Sequence, residues 1–101
     1  MMYPKPKRIK STPAIDSCRK ERCEICGGLT YGAMPHHVYS RGAGGPDHCL
    51  NLIQLDGQCH VKAHSGKISR GQQLEIIARR EGMTVVEVEV ELYRMRRGDY
   101  D

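Results

Sequence analysis

Residue types that bind metal ions and transfer protons are concentrated in one stretch of this chain, residues 36 to 64. The stretch contains all five histidines and closes with His60 and His64, four positions apart. Residues at this spacing share one face of an α-helix, so both imidazoles can reach the same cation. The segment from Cys59 to Gly66 is compatible with a short helix, and Gly66 is suited to end it. The spacing therefore predicts part of a metal site here.

Two adjacent histidines, His36 and His37, open the same stretch. Pro35 prevents a helix from continuing through this point and predicts an extended segment. Neighbouring side chains of a strand point to opposite faces, so one metal ion would not be bound by both histidines without strain. The alternation predicts a division of roles, in which one histidine binds the metal and the other faces a water molecule. An imidazole is a suitable general base near neutral pH.

A second, structural metal site is predicted from the cysteines. Cys23 and Cys26 have the spacing of a zinc knuckle, and Cys59 supplies a third thiolate. The fourth ligand is either Asp56, whose carboxylate can bind zinc, or Cys49 at the far end of the preceding strand. The length of that strand favours Asp56. A degenerate site that holds no metal is the third interpretation.

The elements that must position these residues are short. Residues 41–47 contain three glycines and a proline, which predicts a loop, and residues 51–55 read as a second strand. The order is strand, loop, strand and short helix, which buries so little apolar surface that a metal is expected to stabilise it. We expect Asp47 to cap the turn before the second strand and His48 to lie on the surface.

Two helices are predicted after residue 67. Ser69 to Gln72 and Thr84 to Glu87 each have the form of a capping box, and Gly82 is suited to end the first helix. Residues 85–93 are ambiguous, because their apolar side chains alternate as in a strand but also form one helical face. The capping box favours a helix. The two helices are expected to cover the small sheet.

The motifs of residues 23–66 resemble those of the HNH endonuclease family, whose catalytic unit is a ββα-metal motif. The matching residues are His36-His37-Val38, Arg41, Gly44-Gly45, Asp47, Asn51-Leu52-Ile53, Cys59-His60 and His64. The separations of 14 positions from His37 to Asn51 and 9 from Asn51 to His60 are typical of the family. The chain departs from the family at Asp56, where many members have a cysteine.

The resemblance implies an endonuclease that hydrolyses DNA phosphodiester bonds with a divalent metal, leaving 5′-phosphate and 3′-hydroxyl ends. His36, His60 and His64 would hold the catalytic Mg²⁺, Mn²⁺ or Ni²⁺. His37 would be the general base, and Asn51 would fix the orientation of that base. Arg41 would bind a backbone phosphate. Nicking, double-strand cutting and RNA cleavage all remain open.

Basic charge is concentrated at the N-terminus. The formal net charge of the chain is +4, and residues 1–22 carry seven basic against two acidic side chains. Residues 1–16 contain three prolines and no periodicity, which predicts a flexible basic arm. We expect four side chains of this arm to contact DNA phosphates, although a solvated tail is the alternative. These side chains are Lys5, Lys7, Arg8 and Lys10.

These patterns predict a one-domain α+β protein with a flexible basic arm (1–16), a zinc-stapled ββα-metal core (17–66) and a C-terminal helical pair (67–101). No apolar run is long enough for a membrane span or a signal peptide, and five cysteines suit metal binding in a reducing cytoplasm. Without a visible sequence-reading module, we expect low specificity or a larger phage or host protein that supplies it, since small proteins of this kind often belong to phages or mobile elements. The alternative function is a non-catalytic zinc module that binds nucleic acid or a protein.

Overall fold

The segment that carries His36 and His37 is held by a two-stranded antiparallel sheet. Strand β1 is His36–His37 and strand β2 is Leu52–Ile53, with His36 opposite Ile53 and His37 opposite Leu52. The computed structural model describes residues 7–98 of the chain. Strand β2 is shorter than the predicted 51–55 because Cys49–Asn51 forms a 3-10 turn. That turn is capped by His48, whose Nδ1 accepts a hydrogen bond from Leu50 N (3.1 Å), and not by Asp47.

Four α-helices lie within the described residues. They are α1 (Thr12–Ser17), α2 (Gly57–Ser65), α3 (Arg70–Glu81) and α4 (Val85–Arg97). Gly66 caps the C-terminal end of α2 and Gly82 caps that of α3, and both glycines have positive φ angles (85° and 68°). Reciprocal capping boxes begin α3 and α4, so the ambiguous residues 85–93 are helical. No helix between residues 7 and 98 is both long and apolar enough to cross a membrane.

Helices α3 and α4 pack against each other and against β2 to form the main core. Its fully buried side chains include Ile53, Leu74, Ile77, Val88 and Leu92. The valines of α4 that alternate with glutamates do not share this environment, because Val86 and Val90 are exposed while Val88 is buried. The apolar residues alternate as in a strand, but the segment is a helix, and a helix buries only every third or fourth residue.

Arg80 joins α3 to the knuckle and the sheet. Its guanidinium donates hydrogen bonds to Glu24 Oε1 (2.8 Å) and to the carbonyl oxygens of Cys49 (2.6 Å) and Leu52 (3.2 Å). Burial would raise the pKa of Glu24, but hydrogen bonds from Lys20, the backbone of Gln54 and Arg80 outweigh burial and lower it. Arg80 thus stabilises the attachment of the C-terminal helices to the rest of the domain.

A flexible arm is predicted for residues 1–16, but within the described residues 7–16 the chain packs against the sheet. Asp47 N donates a hydrogen bond to Ile9 O (2.9 Å), and Ser11 is the N-cap of α1, where its side chain accepts from Ala14 N. Ile15 is buried against Leu52. A Ser N-cap, a proline in the first turn and one apolar side chain are enough to order this segment against the sheet. Residues 1–6, including Lys5, lie outside the described residues.

Candidate metal centres and the His37 site

One group of ligands able to hold a metal ion lies between the knuckle and the start of α2. The sulfur atoms of Cys23, Cys26 and Cys59 and a carboxylate oxygen of Asp56 all lie within 4.8 Å of one another. Asp56 is the N-cap of α2 and accepts from Cys59 N through Oδ1 (2.8 Å), which leaves Oδ2 directed at Cys26 Sγ (2.9 Å). This set of donors is consistent with a structural zinc. Cys49 is not part of it.

The backbone around this group is shaped by the same residues. Ile25 N donates to Cys23 Sγ and Gly28 N donates to Cys26 Sγ, each at 3.4 Å. A Cβ at Gly28 would lie 2.6 Å from Asp56 Oδ2, so a larger residue here would displace the Asp56 carboxylate from its position beside Cys26. The Asp56 carboxylate raises the pKa of the Cys26 thiol, and burial and the neighbouring acids raise that of Cys59. A divalent cation would relieve this repulsion between acidic groups.

A second group of ligands consists of His36, His60 and His64. One nitrogen from each ring lies within 4.8 Å of the other two, and His60 Nε2 and His64 Nε2 are 3.0 Å apart. His60 and His64 are one turn apart on α2, while His36 reaches them from β1. Burial, reinforced by the two other histidines, lowers the pKa of His36 to about 4. The ring of His36 is therefore neutral at pH 7, with a lone pair available to a cation.

His37 has different partners, as strand alternation predicts. Its Nε2 lies 2.8 Å from Asp47 Oδ1, and its side chain is 11% exposed. Asp47 also accepts from Arg8 Nη1 at Oδ1 (2.6 Å) and from Ser11 N at Oδ2 (3.0 Å). Burial would raise the pKa of Asp47, but hydrogen bonds from Arg8, His37 and Ser11 hold it well below its usual range.

Asn51 does not contact the ring of His37, in contrast to the orienting role that the resemblance implies. The Asn51 side chain is fully buried, accepts from Tyr39 N (2.8 Å) and donates to Tyr39 O and Pro46 O (both 3.0 Å). Its backbone oxygen accepts from Val38 N (2.9 Å). Asn51 therefore fixes the two ends of the loop that follows β1 and acts on His37 only through that loop.

Two cavities flank the His37–Asp47 pair. His36, His37 and His64 line one of about 260 Å³, with Arg70 at its edge. The other, which we call the basic groove, has a volume of about 370 Å³. Arg8, Lys10, Arg19 and Arg41 line the basic groove together with Asp16 and Asp47.

Basic residues predicted to contact DNA divide into two sets. Lys7, Lys10 and Arg41 are exposed, so their charges are accessible to a phosphate. Arg8 is instead held by Asp47 and donates a further hydrogen bond to Gly45 O (3.1 Å), with 17% of its side chain exposed. In this conformation Arg8 supports the loop, because its guanidinium is already occupied by a carboxylate and a carbonyl.

Sequence patterns did not indicate two residues of this region. Asp47 was expected to cap a turn, and the only sign of its contact with His37 is its place in a loop that must return to β2. Arg70 lies at the first position of α3, and its guanidinium stacks on the Tyr39 ring (4.2 Å to the centroid), with Arg96 stacked on the same ring (3.9 Å). Pairings of this kind depend on tertiary contacts that no local spacing records.

No family model, curated protein or solved structure matches this chain.

Proposed function

We propose that this protein is an HNH-type endonuclease that hydrolyses DNA phosphodiester bonds with a divalent metal. The observation that carries the proposal is the shared cavity of His36, His37 and His64. It brings a group of three histidines beside a separate imidazole that is hydrogen-bonded to a buried carboxylate. The resemblance of residues 23–66 to the HNH family supports the same function.

Phosphodiester hydrolysis requires a base for the attacking water and a means of stabilising negative charge. His37 would accept the proton of that water, since imidazole is a suitable general base at neutral pH. His36, His60 and His64 would hold the divalent cation, which when bound stabilises charge on the phosphate and the leaving oxygen. The three rings are suited to this because at least His36 stays neutral well below pH 7.

A nucleic-acid substrate is supported by the charges that surround the two cavities. Arg41 and Lys10 are exposed along the basic groove, and Arg70 lies at the edge of the histidine cavity. A guanidinium can bind a phosphate through two parallel hydrogen bonds. We propose that the DNA backbone follows the basic groove toward the His37–Asp47 pair.

A structural zinc is proposed for Cys23, Cys26, Asp56 and Cys59. These residues connect the knuckle to the N-terminus of α2, the helix that carries His60 and His64. Zinc at this position would fix the helix relative to the sheet and so hold the three histidines together. Because the core is small, such a connection would contribute to the stability of the domain.

The test is cleavage of supercoiled plasmid by the purified protein, after removal of loosely bound metal with EDTA, with Mg²⁺, Mn²⁺ or Ni²⁺ added back. We expect nicked circles to appear only when a divalent metal is present. A His37→Ala protein purified in the same way controls for a contaminating nuclease, and a parallel reaction with RNA tests the alternative substrate. If wild type cleaves neither DNA nor RNA with any of these metals while remaining folded, the nuclease proposal fails. A non-catalytic zinc module then takes its place.

A further inference from the structure

We propose that Asp47, held in place by Arg8 and Ser11, is the positioning residue that fixes the ring orientation and tautomer of His37. The catalytic meaning of this contact rests on the proposed function. The contact itself is independent of it, because it consists of three hydrogen bonds to a side chain that is only 6% exposed. Asp47 makes no contact with the three-histidine group, whose members lie on the other face of β1 and on α2.

The hydrogen bonds that Asp47 accepts determine the tautomer of His37. Arg8 Nη1 and the ring of His37 both meet Oδ1 of Asp47, and the backbone N–H of Ser11 meets Oδ2. An ionised carboxylate only accepts hydrogen bonds, so Nε2 of His37 must carry the proton. Nδ1 of the same ring then keeps its lone pair, and among the described residues it has no hydrogen-bond partner. The ring therefore presents its basic nitrogen away from Asp47.

Arg8 and Ser11 connect the N-terminal segment to this base. Both belong to the stretch that the sequence presents as an arm, yet both donate to the carboxylate that contacts His37. Arg8 Nη1 also donates to Gly45 O, so the same guanidinium supports the loop that carries Asp47. Residues 8–11 are thereby a structural part of the His37 site.

Replacing Asp47 with asparagine is the sharpest test, because the amide has one acceptor and one donor where the carboxylate has two acceptors. If the NH₂ group takes the place of Oδ1, it faces two donors, Arg8 and His37. If it takes the place of Oδ2, it faces Ser11 N–H. The first orientation turns a donor toward His37 and favours the proton on Nδ1. The second keeps an acceptor for His37 but loses the hydrogen bond from Ser11 and the negative charge that strengthens the hydrogen bond from Nε2–H, so the tautomer should be less strictly fixed.

The measurement is the tautomer of His37 by two-bond proton–nitrogen correlation on zinc-loaded, ¹⁵N-histidine-labelled protein at about pH 8, where an ordinary imidazole is neutral. We expect wild type to have the proton on Nε2 and Asp47→Asn to show a mixture or the Nδ1–H form. Glu91→Gln is the matched control. Glu91 pairs with Arg94 (3.3 Å) on the surface of α4, lines neither of the two cavities and does not meet His37.

Kinetics provide a second readout on the same variants. With saturating metal, we expect Asp47→Asn to lower kcat by about 10²-fold or more, because the wrong tautomer cannot accept the proton. KM and the metal affinity of the three-histidine group should stay near wild type, and Glu91→Gln should match wild type throughout. If Asp47→Asn does not fold, Arg8→Gln takes its place. We expect Arg8→Gln to show a smaller loss in the same direction, and Arg8→Lys to restore part of it.

A wild-type His37 with its proton on Nδ1 would overturn the proposal. Unchanged tautomer and kcat in both Asp47→Asn and Arg8→Gln would also overturn it. If wild type shows no cleavage at all, the nuclease proposal fails separately, and the tautomer measurement alone decides whether Asp47 positions His37.

Discussion

Adjacent histidines of β1 meet different partners because strand alternation directs their side chains to opposite faces. His36 lies against two histidines of α2, whereas His37 lies against a carboxylate held by the N-terminal segment. Burial and neighbouring rings keep His36 neutral, which suits a metal ligand. A carboxylate partner suits an imidazole that must hold one tautomer, which is the role we propose for His37.

Replacing residues of the cysteine group tests the assignment of Asp56 as a zinc ligand. Asp56→Asn keeps an oxygen that can cap α2 but removes the charge, so we expect lower zinc occupancy with the helix retained. Cys59→Ser should destabilise the domain by several kcal/mol, since binding of a structural zinc contributes about 10–16 kcal/mol to folding. Zinc content by mass spectrometry and thermal unfolding are the measurements.

Cys49→Ser is the matched control for the zinc assignment, because Cys49 lies outside the ligand group. It should retain full zinc. Loss of zinc in Cys49→Ser together with full zinc in Asp56→Asn would reverse the assignment of the fourth ligand.

Cys23, Cys26, His60 and His64 could be predicted as ligands from the sequence, because knuckle spacing and a histidine pair one helical turn apart are local patterns. His36 came from the family resemblance, and the choice between Asp56 and Cys49 stayed open until the structure placed Asp56 in the group.

Contacts made across the chain could not be predicted in this way. The Asp47–His37 contact depends on how a glycine-rich loop returns to the sheet. The real partners of Asn51 are backbone groups of Tyr39 and Pro46, which no side-chain pattern identifies.

At the level of elements, the loop between β1 and β2 is built to close tightly. Gly45 N donates to Ser40 O (2.8 Å), and a Cβ at Gly45 would collide with the backbone of Tyr39 and Ser40. Asn51 joins Tyr39 to Pro46 across the base of the same loop. Gly45 and Asn51, both part of the pattern that resembles the HNH family, thus have a structural explanation here. Together they set the position of Asp47.

Helix α3 is expected to depend on Arg80 for its attachment to the sheet. Arg80→Met would leave Glu24 with Lys20 and the backbone N–H of Gln54 as its remaining partners, and it would remove the donor to the carbonyls of Cys49 and Leu52. Complete loss of the partner of a buried charge costs about 3–5 kcal/mol, and because Lys20 remains we expect the free energy of unfolding at pH 7 to fall by up to that amount. Arg79→Met, which changes an exposed arginine of the same helix, should have little effect.

The difference between Arg80→Met and wild type should depend on pH. Hydrogen bonds lower the pKa of Glu24 in the folded protein, so its stabilising contribution is complete above the unfolded pKa of about 4.3. The contribution is lost as the pH falls through the lower folded value. The two unfolding free energies should then move closer together, with a remaining difference from the hydrogen bonds of Arg80 to the carbonyls of Cys49 and Leu52. Chemical denaturation at several pH values measures this. Equal losses for Arg79→Met and Arg80→Met would contradict the account.

For the whole molecule, capping residues and glycines predict the helix boundaries. Composition does not predict how far the ordered domain extends toward the N-terminus. Proline-rich composition predicts an arm to residue 16, yet α1 begins at Thr12 because Ser11 caps it and Ile15 finds an apolar site beside Leu52. Composition averages over residues, and a single buried isoleucine is enough to change the outcome. The basic groove exists because this segment returns to the sheet.

The salt dependence of DNA binding tests whether the basic groove contacts phosphates. Each phosphate contact with duplex DNA adds about 0.9 to the magnitude of the slope of log affinity against log salt concentration. We expect Lys10→Ala and Arg41→Ala each to reduce the slope by about that amount, measured with a catalytically inactive His37→Ala background. Arg79→Ala removes the same charge from the exposed face of α3 and should leave the slope unchanged. Slopes unchanged in all three variants would exclude the groove as the DNA path.

The most direct test of the proposed function compares His36→Ala and His37→Ala in cleavage rate as a function of Mn²⁺ concentration, with metal affinity measured by calorimetry. We expect His37→Ala to cleave about 10²–10⁴-fold more slowly at every concentration while binding metal like wild type. His36→Ala should bind metal weakly and recover part of its activity at high Mn²⁺. His48→Asn, which changes a histidine of neither group, should match wild type. If His37→Ala loses metal and His36→Ala does not, the roles are reversed. Full cleavage by both variants would contradict the account.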